Sequence, residues 1–367
     1  MNYYKITRAL DHLGAFVPWP KQSTRRTVFL STRPQPGGPG TFVAKIVREW
    51  AEQGLAITYR KLRTAQGALI VSTSWGDWFH SLCRSWQVRT VLRLDGFYVP
   101  TYFDNRVQPS EHQDRRLTLH RMRMNYRAQR DLVRANFVIY QSKFSKEMAD
   151  RYLYCRKDDF SIVHNGVDLA RFCPGHMHQG RRRLLSAGML RHEYMLGTVL
   201  PVFERLWQQH DLEMSIVGHM DDISRHLLRD FAERAPLAME RITIVGPVSN
   251  EEMAQHMRQA DILVHPRQGD WCPNVVIEAM ACGLPVVCAS WGGAAELVGD
   301  AGVVVPTGQW IYDDDFVTDM ASGAEEVLEN LKTFQQAARA HAEAQFDIRK
   351  VSQKYLTALK LPDRADR

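Results

Sequence analysis

Two carboxylates interrupt an otherwise apolar stretch of the sequence, GDWCPNVVIEAMACGLPVV, which runs from 269 to 287. Asp270 and Glu278 stand eight residues apart in it, and a carboxylate among apolar residues is costly unless a partner hydrogen-bonds it. Asn274 can cap a helix that Gly283 ends, so Glu278 falls about one turn into that helix. The two oxygens of Glu278 can then accept hydrogen bonds from both hydroxyls of a ribose.

The start of the same helix is predicted to bind an anion. In parallel α/β sheets, helix N-termini face the carboxyl edge of the strands, where ligands collect. Exposed backbone N–H groups at Asn274 and Val275 suit a diphosphate. Asp270 precedes the helix and would lie nearer the other end of the same ligand, where a sugar hydroxyl is a natural donor to its carboxylate.

Alternating strand and helix patterns are expected to position these residues. Strands are predicted at 27–33, 68–74, 89–95, 136–142 and 161–168, and again at 183–189, 212–218, 241–248, 260–266, 284–290 and 298–306. Helical spacing occurs between many of them, and residues 321–359 are predicted to be helical. Two α/β series of similar length favour two doubly wound, Rossmann-like domains that face a central cleft.

Composition agrees with a globular protein of two domains. The chain has 367 residues, of which 45% are hydrophobic and 24% charged. Its net charge of +6 favours anionic partners such as phosphates, nucleic acid or an acidic membrane surface.

Cysteine usage and hydropathy predict a cytoplasmic protein. The six cysteines include no Cys-x-x-Cys pair, and no histidine cluster has the spacing of a zinc site. The N-terminal residues lack the apolar core of a signal peptide. No stretch approaches the roughly 18 continuous apolar residues of a membrane-spanning helix, although peripheral contact at the inner face of the membrane stays open.

The segment HPRQGDWCPNVVIEAMACGLPVVCASWGGAAELVGDAGVVVP, from 265 to 306, resembles the donor-site segment of the retaining family-4 nucleotide-sugar glycosyltransferases. The shared pattern is two acidic residues separated by seven, then E-A-M-A-C-G-x-P-V-V and a G-G-x-x-E loop. Weaker matches at 36–40, 164–168, 186–190 and 216–220 occur in the expected order. The resemblance implies the two-domain GT-B fold, a nucleotide diphosphate sugar as donor, retention at the anomeric carbon, no cofactor and no catalytic metal.

The domain boundary is predicted near the segment 176–183, because that segment is polar and irregular. The resemblance then implies an N-terminal acceptor-binding domain over 1–178 and a donor-binding domain over 179–340. A helix within 341–367 is expected to cross back to the N-terminal domain.

Carried over by position, the resemblance implies roles for individual residues. Glu278 would bind the donor ribose, and Asp270 would contact the transferred sugar. Gly37 and Gly38 would let the N-terminal loop approach the donor phosphates.

Two cations of the family pattern are missing from their usual positions. After the first strand of the second domain the resemblance expects Arg and, five residues on, Lys, where this chain has Met189 and Tyr194. Arg191 is the nearest cation and is predicted to substitute. The alternative is a catalytically inactive relative that binds nucleotide sugar or acts as an interaction partner. The predicted catalytic residues are Asp270, Glu278, Arg191 and Asp95.

Two places in the first half are candidates for acceptor binding. Asp95 ends the strand 89–95, where the functional groups of an α/β domain collect. The segment WGDWFH offers Trp75, Asp77 and His80, and aromatic faces suit sugar rings. Packing in the core is the alternative for these aromatic residues.

A predicted helix carries cations at spacings of four, three, four, three and four, at Arg116, His120, Arg123, Arg127, Arg130 and Arg134. At about 3.6 residues per turn they form one stripe. Leu119, Met122, Tyr126 and Val133 fall on an adjacent face, which could face the domain core. The stripe is either a solvated face or a contact with an anionic membrane or acceptor.

The favoured hypothesis is a transferase that moves a sugar to a carbohydrate or lipid-linked acceptor, in polysaccharide or glycoconjugate biosynthesis. An epimerase would need acid and base residues facing the sugar C2, and none is identified. A dehydrogenase is disfavoured because PGGPGT is not G-x-G-x-x-G. No nucleic-acid-binding motif accompanies the basic stripe, so nucleic acid is not an expected partner.

Overall fold

The computed structural model describes residues 26–35, 37–99, 115–175, 180–191 and 193–361. Two compact units divide the chain. The first contains the described residues up to Gly166 and those from Ile348 onward, and the second contains the described residues of Val167–Asp347. The boundary predicted at 178 lies outside the described residues, and the second unit extends to 347, where the prediction placed its end at 340.

A six-stranded parallel sheet forms the centre of the first unit. Its strands are β1 (Thr27–Leu30), β2 (Ala56–Thr58), β3 (Gly67–Val71), β4 (Arg89–Leu94), β5 (Phe137–Tyr140) and β6 (Phe160–Ile162). They lie in the order β2-β1-β3-β4-β5-β6. The helices that follow them in this unit are α1 (Gly38–Glu52), α2 (Asp77–Ser85), α3 (Arg115–Arg134) and α4 (Lys143–Tyr152). The central strands are buried apolar runs, as expected for a parallel sheet covered by helices.

A second six-stranded parallel sheet forms the centre of the second unit. Its strands are β7 (Arg183–Leu190), β8 (Glu213–Met220), β9 (Ile242–Val245), β10 (Ile262–His265), β11 (Val286–Ala289) and β12 (Gly302–Val305). Their order is β12-β11-β10-β7-β8-β9. The order in which the chain adds strands therefore reverses between β7 and β10: β8 and β9 lie on one side of β7, and β10, β11 and β12 lie on the other. The helices are α5 (Glu193–Leu206), α6 (Asp222–Arg234), α7 (Pro236–Met239), α8 (Asn250–Arg258), α9 (Asn274–Ala281), α10 (Gly293–Val298), α11 (Asp314–Glu329) and α12 (Leu331–Gln345).

The last helix, α13 (Ile348–Leu359), belongs to the first unit. Trp50 is fully buried on α1, and its Nε1 donates to the Ser352 carbonyl over 3.4 Å. Arg89 Nε donates to the Ala358 carbonyl over 2.8 Å. The helix therefore supplies part of the core of a sheet whose strands lie far away in the sequence.

The two doubly wound sheets confirm the predicted fold class. The edge strand β2 was not predicted, because its three residues are too few to show a period. The strand predicted over 161–168 is shorter and covers Phe160–Ile162. The helical region predicted over 321–359 consists of the end of α11, α12 and α13.

Candidate functional site

The second unit has a cavity near the ends of β7 and β10, the two strands at which the sheet order reverses. Open α/β sheets bind their ligands at such a switch point, outside the carboxyl ends of the strands. The cavity volume is about 250 Å³. Its lining includes Gly188, Met189, His265, Arg267, Asp270, Asn274, Val275 and Glu278. The structure thus brings together four residues that the sequence predicted for donor binding: Asp270, Asn274, Val275 and Glu278.

Glycines hold the acidic loop that precedes α9. Gly269 has a φ of +70°, a left-handed conformation that favours glycine. The Gly293 N–H donates to the Asp270 carbonyl over 2.6 Å. A Cβ at Gly293 would lie 2.1 Å from the Trp271 carbonyl oxygen. Gly293 therefore lets the start of α10 approach the backbone of Asp270 closely enough to fix it.

Arg267 and Asp270 form an ion pair in the cavity wall. Arg267 Nε lies 3.4 Å from Asp270 Oδ2, and the two side chains keep 35% and 21% of their surface exposed. Asp270 Oδ1 also accepts from the Cys272 N–H over 3.3 Å. A ligand in the cavity could therefore reach both a cation and a carboxylate. Sequence reasoning missed Arg267, although its position just after β10 was a usable signal.

Helix α9 presents its first turn to the cavity. Its N-cap residue is Pro273, and no side chain caps the helix. The prediction of Asn274 as the cap is wrong, because the chain enters the helix one residue earlier and Asn274 is already helical. The first N–H groups of a helix have no intrahelical acceptor. Asn274, Val275 and the half-buried Glu278 all line the cavity, so these amides and a carboxylate share one wall.

His265 is an uncharged part of the same wall. It ends β10 and is 3% exposed. Burial lowers the pKa of its imidazole to about 4; the charge of Asp270 opposes the decrease, and that of Arg267 adds to it. Within the described ranges, His265 Nε2 has no hydrogen-bond partner. Because the ring is neutral at pH 7, Arg267 carries the positive charge of the lining.

Met189 and Tyr194 occupy the positions where the resemblance expects cations. Met189 is 44% exposed and lines the cavity. Tyr194 stacks on Tyr312, with ring centroids 4.7 Å apart, and lies edge-on to Trp310. Tyr312 in turn accepts a hydrogen bond from the Gln268 N–H over 3.0 Å. Burial raises the pKa of Tyr194, so its ring is a neutral part of the packing that supports the acidic loop.

Arg191 is not among the residues that line the cavity. Its side chain is exposed just after β7, and its backbone N–H donates to the Met189 carbonyl over 3.1 Å. Its assignment as the compensating cation stays a prediction. Arg267 is the cation that the structure places at the cavity.

Asp95, in the first unit, takes part in a buried network at the end of β4. One carboxylate oxygen pairs with Arg93, and the other accepts from Ser72 Oγ over 2.6 Å. Arg93 also donates to Gln141 and Asn165 over 2.9 and 2.8 Å. Asp95 is 8% exposed, so these contacts hold the strand ends in place. Its role in catalysis or acceptor binding stays a prediction.

His80 is 3% exposed and lies in a second buried network of the first unit. Its Nε2 is 2.9 Å from Asp131 Oδ1, and Ser74 Oγ donates to the same oxygen over 2.6 Å. Burial alone would raise the pKa of Asp131. The hydrogen bonds from His80 and Ser74 and the charge of Arg130 together outweigh burial, so the pKa of Asp131 is lower than its ordinary value. These contacts favour packing in the core as the role of His80 and argue against its predicted contact with an acceptor.

Trp75 and Asp77 lie nearer the surface. Trp75 is half-buried and stacks on Trp78, with ring centroids 5.9 Å apart. Asp77 is exposed, and its Oδ1 lies 3.3 Å from Arg134 Nε. Both positions leave a side-chain surface that an acceptor could contact, and the prediction stands untested.

Gly37 and Gly38 mark the start of α1. Gly37 is the N-cap residue and has a φ of +101°. A Cβ at either glycine would meet no described atom within 4 Å. The predicted approach of this loop to donor phosphates therefore has space around it.

Two further features concern metals and membranes. Across the ranges that the structure describes, no group of three or more His, Cys, Asp or Glu side chains is arranged to hold a metal ion. No helix in those ranges combines the length and the apolar character that crossing a membrane requires.

Comparison with known sequences gives a family match for part of the chain. Residues 181–330 match the family described as glycosyl transferases group 1. The D-inositol 3-phosphate glycosyltransferase of Paenarthrobacter aurescens (strain TC1) is 28% identical over 202 residues, which are 51% of this chain and 48% of that protein. The chain therefore spans about half the length of the curated relatives it matches.

Solved structures extend the likeness to nearly all of the chain. Sucrose-phosphate synthase from Thermosynechococcus elongatus has a TM-score of 0.68 at 16% identity, covering 91% of this chain and 98% of that one. HepE of Anabaena, in complex with UDP-glucose, has a TM-score of 0.65 at 16% identity, covering 91% and 99%. At these identities the likeness establishes the fold. The predicted GT-B architecture is thus confirmed, and residues 181–330 of this GT-B chain carry the match to glycosyl transferases group 1.

Proposed function

We propose that the chain is a glycosyltransferase that moves a hexosyl or other glycosyl group from a nucleotide diphosphate sugar to an acceptor hydroxyl, with retention at the anomeric carbon. One observation carries the proposal: a single cavity at the reversal of the second sheet combines Arg267, Asp270, Glu278 and the start of α9. The group 1 match covers the same residues. HepE, which shares the fold, was solved with UDP-glucose.

Each group of the cavity wall has a part in this proposal. Glu278 accepts hydrogen bonds from the ribose hydroxyls. The N–H groups at the start of α9 and the guanidinium of Arg267 bind the diphosphate. Asp270 accepts from a hydroxyl of the transferred sugar and holds Arg267 in position.

The proposed chemistry is attack on the front face of the sugar, because both carboxylates of the cavity have other parts in the proposal: Asp270 pairs with Arg267 and a sugar hydroxyl, and Glu278 binds the ribose. The bond between the anomeric carbon and the diphosphate oxygen breaks. The acceptor oxygen forms its bond on the same face, and its proton passes to the leaving diphosphate. Catalysis then rests on positioning and on stabilising the growing charge of the diphosphate. A preorganised donor to that charge is worth about 3 kcal/mol, or about a hundredfold in rate.

A second candidate is a catalytically inactive protein that binds nucleotide sugars or a partner. The neutral residues Met189 and Tyr194, at positions where the resemblance expects cations, favour it. The two candidates differ in whether one cation, Arg267, is sufficient for departure of the diphosphate.

The acceptor and the location are also proposals. We infer a carbohydrate or lipid-linked acceptor, with Trp75 and Asp77 as candidate contacts and a place in polysaccharide or glycoconjugate biosynthesis. A cytoplasmic location is supported by the six cysteines, which are all free thiols.

The test is calorimetric titration with a panel of nucleoside diphosphates, followed by measurement of nucleoside diphosphate release from the matching sugar donors. We expect one nucleotide to bind, the Glu278→Ala variant to bind it more weakly, and release to increase with a suitable acceptor. Binding without release under any acceptor would favour the inactive alternative. An absence of binding across the panel would contradict the transferase and leave only the inactive alternative that acts as an interaction partner.

A further inference from the structure

Helix α3 of the first unit presents large apolar side chains to solvent. Leu119, Met122, Tyr126 and Val133 are 52%, 58%, 65% and 52% exposed. The sequence left open whether this face packs against the core, and the structure turns it outward. Exposed apolar residues are ordinary when isolated, but several on one helix face mark an interaction surface.

Arginines accompany the apolar residues along the first part of the helix. Arg116, Arg123 and Arg127 are exposed there. The sequence from 116 to 127 contains no Asp or Glu. This part of α3, called the outer face below, therefore combines positive charge with exposed apolar surface.

The end of the predicted basic stripe has a different role. Arg130 Nη2 lies 3.0 Å from Asp131 Oδ1, and Arg134 Nε lies 3.3 Å from Asp77 Oδ1. Asp131 is fully buried. These two arginines are held by carboxylates of their own unit, and the outer face lies nearer the start of the helix.

A groove extends the apolar surface of the outer face. Met122 and Tyr126 form one side of it, and Tyr152 and Leu153, at the end of α4, form the other. Its volume is about 400 Å³. The exposed Tyr154 follows directly in the chain.

We propose that the outer face of α3 docks on the surface of an anionic lipid bilayer. Arg116, Arg123 and Arg127 contact lipid phosphates, while Met122 and Tyr126 enter the boundary between headgroups and acyl chains. An interfacial helix has this composition: arginines for the anionic headgroups and a row of apolar side chains for the layer below. Each arginine near such a surface strengthens partition by roughly fivefold.

The apolar residues favour a bilayer over a nucleic acid. A phosphate backbone satisfies arginines but gives Leu119 and Met122 no apolar partner. An acidic protein surface could use the same arginines, so it is an outcome that the experiment must separate. The proposal adds a surface on the first unit and does not depend on the donor site.

The experiment is co-sedimentation of the whole chain with phosphatidylcholine vesicles, with and without phosphatidylglycerol. One variant reverses charge, Arg123→Glu with Arg127→Glu. A second removes apolar surface, Met122→Gln with Tyr126→Gln, and leaves every arginine in place. The matched control, Arg229→Glu with Lys332→Glu, makes the same change in charge at exposed positions of the second unit.

We expect wild type and control to bind only the anionic vesicles, and less as salt rises, because screening shortens the reach of surface charge. The charge-reversal variant should lose at least thirtyfold in partition, roughly the contribution of two arginines. The apolar variant should also bind the vesicles more weakly while retaining wild-type binding to a heparin column.

Three results would overturn the proposal. One is wild-type protein that stays in the supernatant with anionic vesicles at low salt. Another is equal binding by wild type and the charge-reversal variant. The third is wild-type vesicle binding by the apolar variant, since that would make the face a polyanion or acidic-protein contact. Nucleoside diphosphate affinity should be the same in all variants, so failure here is distinct from failure of the donor site.

Discussion

Arg267 Nε lies 3.4 Å from Asp270 Oδ2, in the wall of the cavity that Glu278 also lines. Arg267 supplies the site with a positive charge, whereas Met189, Tyr194 and His265 are neutral. Asp270 orients Arg267, and the partial exposure of both side chains keeps them accessible to a ligand.

We expect Arg267→Ala to weaken nucleoside diphosphate binding by roughly 10- to 100-fold, because a charged hydrogen bond contributes about 1.5–3 kcal/mol. Turnover should fall by about a further hundredfold if the same guanidinium stabilises the leaving group. Calorimetry and nucleoside diphosphate release measure the two effects separately. Arg191→Ala is the comparison and should be close to wild type. A larger loss in Arg191→Ala would make Arg191 the compensating cation after all.

Glu278→Ala should weaken binding of the cognate nucleoside diphosphate by ~1.5–3 kcal/mol, because the ribose hydroxyls lose a charged acceptor. Titration calorimetry measures it. Glu251→Ala removes an exposed carboxylate from α8 and serves as the control. Unchanged affinity in a folded Glu278→Ala protein would remove Glu278 from the proposed site.

Turnover is expected to survive removal of divalent ions. The start of α9 and Arg267 would supply the positive field that a metal supplies in other transferases. The measurement is donor turnover after metal stripping, with excess chelator present throughout. Activity that disappears and is restored by one particular divalent ion would contradict the expectation.

Acid should destabilise the second unit through His265. Its folded-state pKa, about 4, is below its ordinary value near 6.5. The unfolded chain therefore takes up a proton first as the pH falls, so the stability is complete above about pH 6.5 and declines from there towards about pH 4. For this group the loss is about 2 kcal/mol at pH 5 relative to pH 8.

Urea unfolding of wild type and His265→Gln at both pH values measures the contribution. The variant lacks the titrating ring, so its free energy of unfolding should fall by about 2 kcal/mol less between the two pH values. Parallel pH dependence of the two proteins would show that His265 is not held neutral by burial.

Hydrophobic periodicity was sufficient to predict the fold, because buried strands such as β3 and β10 are apolar runs of the length that parallel sheets require. It failed at β2, whose three half-buried residues leave no pattern. The N-cap of α9 was misplaced by one residue, since Asn274 is a good cap in isolation and the sequence does not show that Pro273 already occupies the position.

For the site, linear spacing predicted that Asp270 and Glu278 would lie close together, but it did not point to Arg267, the cation that lines the same cavity. Arg191 is closer in sequence to the missing positions, whereas Arg267 reaches the cavity from a different strand of the sheet. The burial of individual side chains could not be predicted either. The sequence WGDWFH does not show that His80 turns inward to Asp131 while Asp77 stays exposed. Such choices depend on tertiary contacts.

The return of α13 to the first unit has a consequence for synthesis on the ribosome. Residues that bury Trp50 and bond Arg89 are translated long after Trp50 and Arg89 themselves, because Ser352 and Ala358 lie about 300 and 270 positions downstream. The second unit, Val167–Asp347, is continuous and has emerged in full before α13 appears. Although N-terminal domains usually fold first on the ribosome, here the second unit is the first to have all its packing residues, and the sheet of the first unit must wait until α13 has been translated.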